Sequence, residues 1–417
     1  MEDRKIRFGA NYVPSKKWSY AWLDFNKDEI REDLVAIRSL GMDHIRIHLI
    51  WQYFQPNINY VSEKMLDNLH VLLDIADENE LDVEVTVLDG WLSGYMFMPV
   101  WTRGYYLDDY NIFTSPKMID AEKFLFKEIA NKIGNHKRFM GFDLGNEVCV
   151  MQQGQSAVST EQADAWQSEM MQFVNEIAPN KIHVNGVNHG PWFSDFSFSK
   201  KSLSNVGSVT SIHSWILFTY AMELYKPLET GCIHLMEFGV ELAKAYSDDV
   251  NRPVWIEEFG ITKTWTDEKN IPEFIEKTII ETLSCGNVWG FTWWCSHDIE
   301  KKYKGFEPLE YELGLFDVNN KIKPSGEKIK EVILNIKANP IKSLIKNQAI
   351  VLPDDYFAKK MLTRELSEPL EMVGWCLGKQ FMDYIDLGIR PALVLESKSK
   401  DLEYLKKRGI TQLLEIK

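Results

Sequence analysis

The chain contains few of the features that mark cross-linked, exported or membrane-spanning proteins. Its five cysteines are odd in number and include no Cys-x-x-Cys pair, so neither a disulfide framework nor a zinc knuckle is indicated. No run approaches roughly 18 uninterrupted apolar residues, and the first residues lack the apolar segment of a secretory signal. We therefore expect a protein that is neither exported nor membrane-spanning and that lies in a reducing cytoplasm.

The sequence also lacks an excess of positive charge. Its 61 acidic residues outnumber its 47 basic residues, and the formal net charge is −14. Such a surface repels nucleic acid backbones and anionic membranes, so we expect neither as a partner and favour a neutral small molecule or polymer. Tryptophan, with 14 copies, is plentiful, which suits stacking against sugar rings, although most aromatic side chains in any protein belong to its core.

Short β-rich runs alternate with longer amphipathic segments along the first three quarters of the chain. Strands are predicted at 7–12, 44–49, 83–88, 139–144, 183–187, 208–213, 254–258 and 288–293. Helices are predicted at 27–40, 62–79, 119–133, 160–177, 234–246 and 271–284. Eight strands with intervening helices predict an α/β fold of the (β/α)8 TIM-barrel type. A doubly wound open sheet has a similar pattern, but no Gly-x-Gly-x-x-Gly turn or phosphate loop follows any strand.

The pattern changes near residue 339. A helix that begins near residue 323 is expected to close the barrel. Beyond it, short apolar strands at 349–353, 391–395 and 411–416 alternate with helices at 370–387 and 402–408. We therefore predict a catalytic barrel over residues 1–338 and a small α/β accessory domain over residues 339–417. This appendage carries no recognisable chemistry and is interpreted as a packing module or as the means of forming a homo-oligomer.

Two segments, residues 141–147 (GFDLGNE) and 253–260 (PVWIEEFG), are apolar, strand-like runs that end on carboxylates. Catalytic groups of a (β/α)8 barrel lie at the C-terminal ends of its strands, so Glu147 and Glu258 are expected to face one mouth. A pair of carboxyl groups, one acid and one nucleophile, cleaves a glycosidic bond by double displacement. Successive side chains of a strand alternate in direction, but this alternation alone does not choose between Glu257 and Glu258.

These segments resemble clan A of the glycoside hydrolases, and in particular family 5 with its cellulase-like and endo-β-mannanase-like members. The resemblance rests on Asn146-Glu147 and on the Glu-Phe-Gly that begins at Glu258. It implies that Glu147 is the acid/base, that Asn146 binds the sugar 2-hydroxyl, and that Glu258 rather than Glu257 is the nucleophile. The implied activity is that of a retaining β-glycoside hydrolase for β-linked mannoside or glucoside oligosaccharides.

Two further segments match the same family. Residues 44–48 (HIRIH) resemble the second-strand segment whose arginine contacts the nucleophile, so Arg46 is expected to hold Glu258 ionised. A surface ion pair is the alternative for Arg46. Residues 290–296 (GFTWWCS) resemble the eighth-strand segment whose tryptophan lies beneath the sugar, which implies this position for Trp294, with core packing as its alternative.

The sequence departs from the family pattern at two places. His213 lies where many relatives carry His-x-Tyr, but Trp215 replaces the tyrosine, so the hydroxyl that orients the nucleophile is missing or supplied elsewhere. After the third strand, Asp89 and Trp91 lie where many members place a histidine. Asp89 is a candidate acceptor of sugar hydroxyls and Trp91 a candidate stacking platform, with a structural loop as the alternative, and the aromatic stretch over residues 91–110 predicts a wall of the cleft.

The implied reaction requires Glu147 to be protonated and Glu258 to be ionised when the substrate binds. We expect Arg46 to lower the pKa of Glu258, and a partly dry position beside a negative charge to raise the pKa of Glu147. The reaction requires no metal and no organic cofactor.

Three alternatives stay open. A metal-dependent hydrolase is one, because His44 and His48 share a strand face, although no converging ligand set is evident. A barrel that binds sugars without cleaving them is the second, and β-galactosidase-like specificity within the same clan is the third. The sequence does not distinguish manno, gluco and galacto substrates, and the lack of a leader favours short oligosaccharides, hence exo action or a short cleft.

Overall fold

The structure, a computed structural model, describes residues 5–103 and 109–416. Parallel strands form its main sheet, with bounds Arg7–Asn11, His44–Ile50, Asp82–Asp89, Phe139–Asp143, Thr210–Ser214, Val254–Phe259 and Val288–Trp293. The first strand pairs with the second and with the last, so the sheet curves around one interior instead of ending at the first strand. The prediction of a (β/α)8 barrel is confirmed.

The predicted strand at 183–187 is present only as a short irregular segment. Val184 alone forms a parallel bridge, with Asp143, and its amide donates a hydrogen bond of 2.9 Å to the Phe142 carbonyl. On the other side, the Ser208 amide donates to the His183 carbonyl at 2.8 Å. The segment therefore fills the fifth position of the barrel with too few ladder bonds to form a regular strand.

Helices cover the outside of the sheet. The longer ones are Lys27–Ser39, Glu63–Glu78, Pro116–Ile133, Thr160–Ile177, Leu235–Tyr246, Ile271–Leu283 and Pro324–Ala338. Short helices of four residues each are Trp51–Phe54, Gly190–Phe193, Lys200–Leu203, Ala221–Leu224 and Thr230–Ile233. A small antiparallel hairpin pairs Trp91–Leu92 with Tyr95–Met96. None of the helices in the described ranges combines the length and apolar character that a membrane crossing requires.

The first long helix, Lys27–Ser39, shows how the sequence sets these boundaries. The Asn26 side chain accepts a hydrogen bond from the Asp28 amide at 3.0 Å and so caps the N-terminus. Ile30, Leu34 and Ile37 recur at helical spacing and are buried against the sheet. Shortly after the helix, Gly41 adopts φ of +83°, a conformation that glycine reaches without steric cost.

The C-terminal residues form a second, smaller parallel sheet. Its strands are Gln348–Leu352 in the centre with Ala392–Leu395 and Gln412–Leu414 on either side. Its helices are Tyr356–Thr363, Met372–Asp386 and Leu402–Arg408. The expected strands and two of the helices are present, whereas Tyr356–Thr363 was not predicted. The division into two domains at residue 339 stays a prediction.

A buried ion network joins this C-terminal unit to the barrel. Glu237 and Glu241 lie on the barrel helix Leu235–Tyr246, and both side chains are fully buried. Lys346 Nζ lies 2.6 Å from Glu237 Oε1 and 3.4 Å from Glu241 Oε1. Arg390 adds a contact of 2.6 Å to Glu237, and Arg408 one of 2.8 Å to Glu241. Burial raises the pKa of Glu237, but Lys346, His234 and Arg390 outweigh it and bring that pKa to about 2.

Lys346→Met is expected to destabilise the protein by about 3 kcal/mol, because it leaves carboxylates buried with too few cations. Urea unfolding followed by tryptophan fluorescence measures this loss, with Lys342→Met, at an exposed position of the same segment, as the control. The loss should shrink as the pH falls from about 4.5 towards 2, because the stabilisation is present above the unfolded pKa of Glu237 and disappears as the folded carboxylate is protonated. Equal stability of the two variants at neutral pH would contradict the role given to the network.

Candidate active site

A pocket of about 200 Å³ opens at the C-terminal ends of the barrel strands. Among its lining residues are Trp91, Asn146, Glu147, Glu258 and Trp294, all of them candidates from the sequence. They come from the loops and strand ends at the third, fourth, seventh and eighth positions of the barrel. The structure thus brings most of the predicted site residues to one cavity.

Glu147 and Glu258 face each other across His213. Nδ1 of His213 lies 3.1 Å from Glu147 Oε1 and 3.5 Å from Glu258 Oε2. One oxygen from each carboxylate and one ring nitrogen of His213 all lie within 4.8 Å of one another. The indole nitrogen of Trp91 donates to the other oxygen of Glu147 at 3.2 Å. The two carboxyl groups are therefore close enough to act on the same bond.

Arg46 occupies the interior of the barrel directly below the pair and is completely buried. Its Nη2 lies 2.7 Å from Asp143 Oδ2, and its Nε lies 3.2 Å from Glu257 Oε1. The contact predicted with Glu258 is present but longer, at 3.5 Å from Nη1 to Oε2. The alternative of a surface ion pair is wrong, because the guanidinium has no solvent exposure.

Glu258 lines the pocket, whereas Glu257 is fully buried beneath it. Besides its contact with Arg46, Glu257 accepts a short hydrogen bond from the Ser211 hydroxyl. Burial would raise the pKa of Glu257, but the charges of Arg46 and His213 hold it below its usual range. Of the two adjacent glutamates, Glu258 is thus the one placed to meet a ligand.

The backbone around Glu147 is unusual. Glu147 itself has φ of 47° and ψ of 47°, in the left-handed region, where a non-glycine residue stores on the order of 1 kcal/mol of strain or more. Two residues earlier, a Cβ at Gly145 would lie 2.5 Å from the Leu88 carbonyl oxygen. The glycine therefore permits the fourth strand to approach the third closely, and the turn that follows aims Glu147 into the pocket.

Asn146 and Trp294 are both held in place at the pocket wall. The Asn146 amide accepts from Arg46 Nη2 at 3.0 Å and donates to the Trp91 carbonyl at 2.8 Å, which fixes its orientation. Trp294 packs edge to face on His48, with ring centroids 5.3 Å apart and planes at 81°. Its predicted place beneath a sugar stays a prediction, and its indole forms part of the pocket surface.

Asp89 lies behind the pocket and does not line it. The side chain is fully buried, and its Oδ2 lies 2.8 Å from Nδ1 of His48. Burial, which is the largest influence, raises the pKa of Asp89 well above its usual value. The structure thus shows Asp89 supporting His48, and a direct contact with sugar stays a prediction that the geometry does not favour.

Trp215 supplies the hydrogen bond that the missing tyrosine was expected to make. Its indole nitrogen donates to Glu258 Oε1 at 2.9 Å, and its ring lines the pocket. The family pattern predicts only the loss of the tyrosine hydroxyl here and no role for Trp215 at the site. The sequence could have indicated this contact, because an indole N–H can donate a hydrogen bond to the nucleophile as a tyrosine hydroxyl does.

The expected order of pKa values at the carboxylate pair is wrong. Burial raises the pKa of Glu258 to about 7, and the charge of Glu147 adds to this effect against His213 and Arg46. Burial acts on Glu147 too, but the hydrogen bond and charge of His213 hold its pKa below the usual value. The reason is geometric, since His213 lies closer to Glu147 than to Glu258 and Arg46 is shared among several acceptors.

The carboxylates Asp143 and Glu310 and the imidazole of His189 belong to the site but were not predicted. Asp143 binds Arg46, while Glu310 and His189 line the pocket from loops. Glu310 accepts a hydrogen bond of 3.1 Å from the Ser93 hydroxyl, and burial raises its pKa to about 7. Residues outside helices and strands follow no periodic pattern, so the sequence gives no means of predicting Glu310 and His189. Asp143 could have been predicted, because it lies near the end of a predicted strand.

The aromatic stretch over residues 91–110 contributes to the pocket through its first part. Trp91, Ser93 and Gly94, in and around the small hairpin, are among the lining residues. Residues 104–108 lie outside the described part of the chain. The prediction of a cleft wall therefore holds for the hairpin and stays a prediction for the rest.

The family model for cellulase, glycosyl hydrolase family 5, matches residues 9–298, which include all but the first two residues of the barrel sheet and most of the residues that line the pocket. The chain belongs to glycosyl hydrolase family 5. It is accordingly a glycoside hydrolase of the β-glycoside-cleaving kind, and the predicted membership of clan A is confirmed. No curated protein matches the sequence.

Several solved structures are similar over nearly the whole chain. A GH5_18 variant from Streptomyces cattleya, in complex with Manβ1-4GlcNAc, is 30% identical over 99% of both chains, with a TM-score of 0.89. A GH5_18 from Bifidobacterium longum subsp. infantis is 31% identical over 99% of this chain and 96% of the other, also with a TM-score of 0.89. An exo-β-1,4-mannosidase from an Opitutaceae bacterium shares the fold at 22% identity, covering 94% of this chain and 69% of its own, with a TM-score of 0.76.

Trp215→Phe is expected to move the acidic limb of the pH profile of kcat/KM to higher pH by about one pH unit. The change removes a hydrogen bond that favours the ionised form of Glu258, so the pKa of that carboxyl rises from about 7 and more alkaline solution is needed to ionise it. Hydrolysis of aryl β-glycosides between pH 5 and 9 measures the shift. Trp265→Phe is the control, because that indole packs edge to face on Trp215 at 5.9 Å. Identical acidic limbs in the parent and Trp215→Phe would refute the assignment.

Proposed function

We propose that the protein is a retaining β-mannosidase that releases mannose from short oligosaccharides such as Manβ1-4GlcNAc. The observation that carries this proposal is the close approach of Glu147 and Glu258, with one oxygen from each within 4.8 Å. Retaining enzymes hold their two carboxyl groups about 5 to 5.5 Å apart, whereas inverting enzymes need room for a water molecule between them. The short separation supports double displacement.

In this mechanism Glu258 attacks the anomeric carbon while Glu147 protonates the departing oxygen. A covalent glycosyl-enzyme forms, and a water molecule activated by the same Glu147 then hydrolyses it with net retention. Trp215 and Arg46 stabilise the ionised form of Glu258 through contacts of 2.9 and 3.5 Å. In the proposed mechanism Asn146, which is held between Arg46 and the Trp91 carbonyl, binds the sugar 2-hydroxyl.

His213 brings a positive charge beside both carboxyl groups. Burial alone would lower the pKa of His213, but Glu258 and the other carboxylates around it raise that pKa to about 10, so the ring holds a proton at neutral pH. Its Nδ1 lies 3.1 Å from Glu147 Oε1, and this contact favours the ionised form of Glu147. The mechanism therefore requires the bound sugar to change this environment, so that Glu147 is protonated and Glu258 is ionised when the glycosidic oxygen departs.

A short mannoside is supported by the relatives and by the pocket. The Streptomyces cattleya variant and a similar variant from Bifidobacterium longum subsp. longum were crystallised with Manβ1-4GlcNAc, and each is 30% or 31% identical to this chain. The pocket, at about 200 Å³, is smaller than the usual cavity for drug-sized ligands of roughly 300 Å³ or more. This size suits one sugar ring with its first neighbour better than a long polymer chain.

β-Galactosidase-like specificity is less well supported. The β-galactosidases among the similar structures, from Halorubrum lacusprofundi and Rahnella sp. R3, are only 10% and 12% identical and share the fold alone. A panel of aryl β-mannoside, β-glucoside and β-galactoside with Manβ1-4GlcNAc separates these specificities. The highest kcat/KM is expected for the mannosides, and a preference for the galactoside would overturn this part of the proposal.

Glu258→Ala and Glu147→Ala are each expected to lower kcat for the preferred aryl glycoside by at least a hundredfold, because a nucleophile and an acid/base are lost. Sodium azide should restore turnover of both variants with opposite outcomes: the α-glycosyl azide from Glu258→Ala and the β-glycosyl azide from Glu147→Ala. NMR of the anomeric proton identifies each product. Glu312→Gln, a carboxylate that pairs with Lys263 outside the pocket, is the control.

The same assay separates the remaining alternatives. If neither variant loses most of the activity, the assigned roles are wrong. If the parent binds mannosides without cleaving any, the sugar-binding alternative replaces the proposal. Activity that survives dialysis against a strong chelator is expected, whereas loss on chelation and recovery with a divalent cation would favour the metal-dependent alternative.

A further inference from the structure

We infer that His189 contacts the sugar on the leaving-group side of the cleaved bond, and that Glu371 of the C-terminal unit holds His189 in that position. This inference rests on the proposed function, because it uses the role of Glu147 as the acid. It assigns the C-terminal residues a part in substrate recognition, where the sequence indicated only packing or assembly.

His189 joins the pocket to the C-terminal unit. The residue lies at the start of the short helix Gly190–Phe193 and lines the pocket together with its neighbour Asn188. Its Nε2 lies 3.3 Å from Glu371 Oε1, and both side chains are mostly buried, with 14% and 18% exposure. A contact this shielded from solvent orients the ring more firmly than a surface pair does.

The role of Glu147 as the acid defines which side of the pocket receives the leaving group. The departing oxygen must lie against Glu147, so the sugar that leaves extends from that side of the pair, away from Glu258. Val150 and His189 line the pocket on this side, where Asn188, the neighbour of His189, accepts a hydrogen bond of 3.3 Å from Cys149 Sγ, two residues after Glu147.

The ring of His189 has one nitrogen available for a ligand. Nε2 is directed at Glu371, and within the described ranges Nδ1 has no hydrogen-bond partner. When Nε2 carries the proton and donates it to the carboxylate, Nδ1 becomes an acceptor for a sugar hydroxyl. Glu371 thus sets both the orientation of the ring and the tautomer that it presents.

The helix that follows Glu371 docks firmly on the loops of this wall. Gly374 faces Phe193 so closely that a Cβ there would lie 2.6 Å from the Phe193 ring. The indole of Trp375 donates to the Thr219 carbonyl, and its ring centroid lies 5.8 Å from that of Phe193. The C-terminal unit therefore supports two loops, the one that carries His189 and the one that follows Trp215.

Glu371→Gln tests the inference through the choice of leaving group. For Manβ1-4GlcNAc we expect kcat/KM to fall about tenfold, the size of one charge-assisted hydrogen bond, whereas an aryl β-mannoside with a good leaving group should change by less than about twofold. His189→Ala should lower kcat/KM for Manβ1-4GlcNAc by at least as much, and the double variant should be no worse than His189→Ala on that substrate, because both changes remove one contact.

Glu368→Gln is the matched control, an exposed carboxylate three residues earlier, and thermal unfolding of every variant reports on folding. An equal loss on both substrates, or additive losses in the double variant, would show a merely structural role and overturn the inference while leaving the proposed function intact. A parent enzyme that cleaves neither mannoside would instead refute the proposed function, and the inference would fall with it.

Discussion

A single buried guanidinium organises the interior of this barrel. Arg46 is out of contact with water, and its three nitrogens reach the carboxylates of Asp143, Glu257 and Glu258. Charge in such an interior has to be nearly balanced, because each uncompensated ion costs several kcal/mol. His213 provides the second cation, and a partly held proton offsets some of the remaining charge, because burial raises the pKa of Glu258 to about 7. The arrangement of the pocket follows from this balance.

The barrel and the reacting pair could be predicted because both depend on local patterns. Strand periodicity and helical spacing located the main elements, and the flanking residues of Glu147 and Glu258 identified the family. The fifth strand was predicted from an apolar run, but Val184 alone bridges to the sheet there. Periodicity records which side chains are buried; it does not record whether enough backbone groups meet a neighbour to form a ladder.

The electrostatics of the pair could not be predicted, because they depend on distances between segments that are far apart in sequence. The sequence placed Arg46 next to Glu258, but it gave no sign that Asp143, Asn11 and Asn146 would share the same guanidinium. Nor did it reveal that His213 lies nearer to Glu147. Loop residues such as Glu310 and His189 were missed for the same reason, since their positions depend on tertiary contacts, including one with the C-terminal unit.

The indole of Trp215 differs from a phenol in a way that reaches beyond geometry. A tyrosine hydroxyl can donate or accept a hydrogen bond, and it loses its proton near pH 10. An indole N–H only donates and stays neutral throughout the working range of proteins. The contact of 2.9 Å with Glu258 therefore has a fixed polarity. Glu258 therefore accepts this hydrogen bond in acidic and in alkaline solution alike. Unlike a tyrosine, Trp215 has no titratable proton that it could pass to the carboxylate.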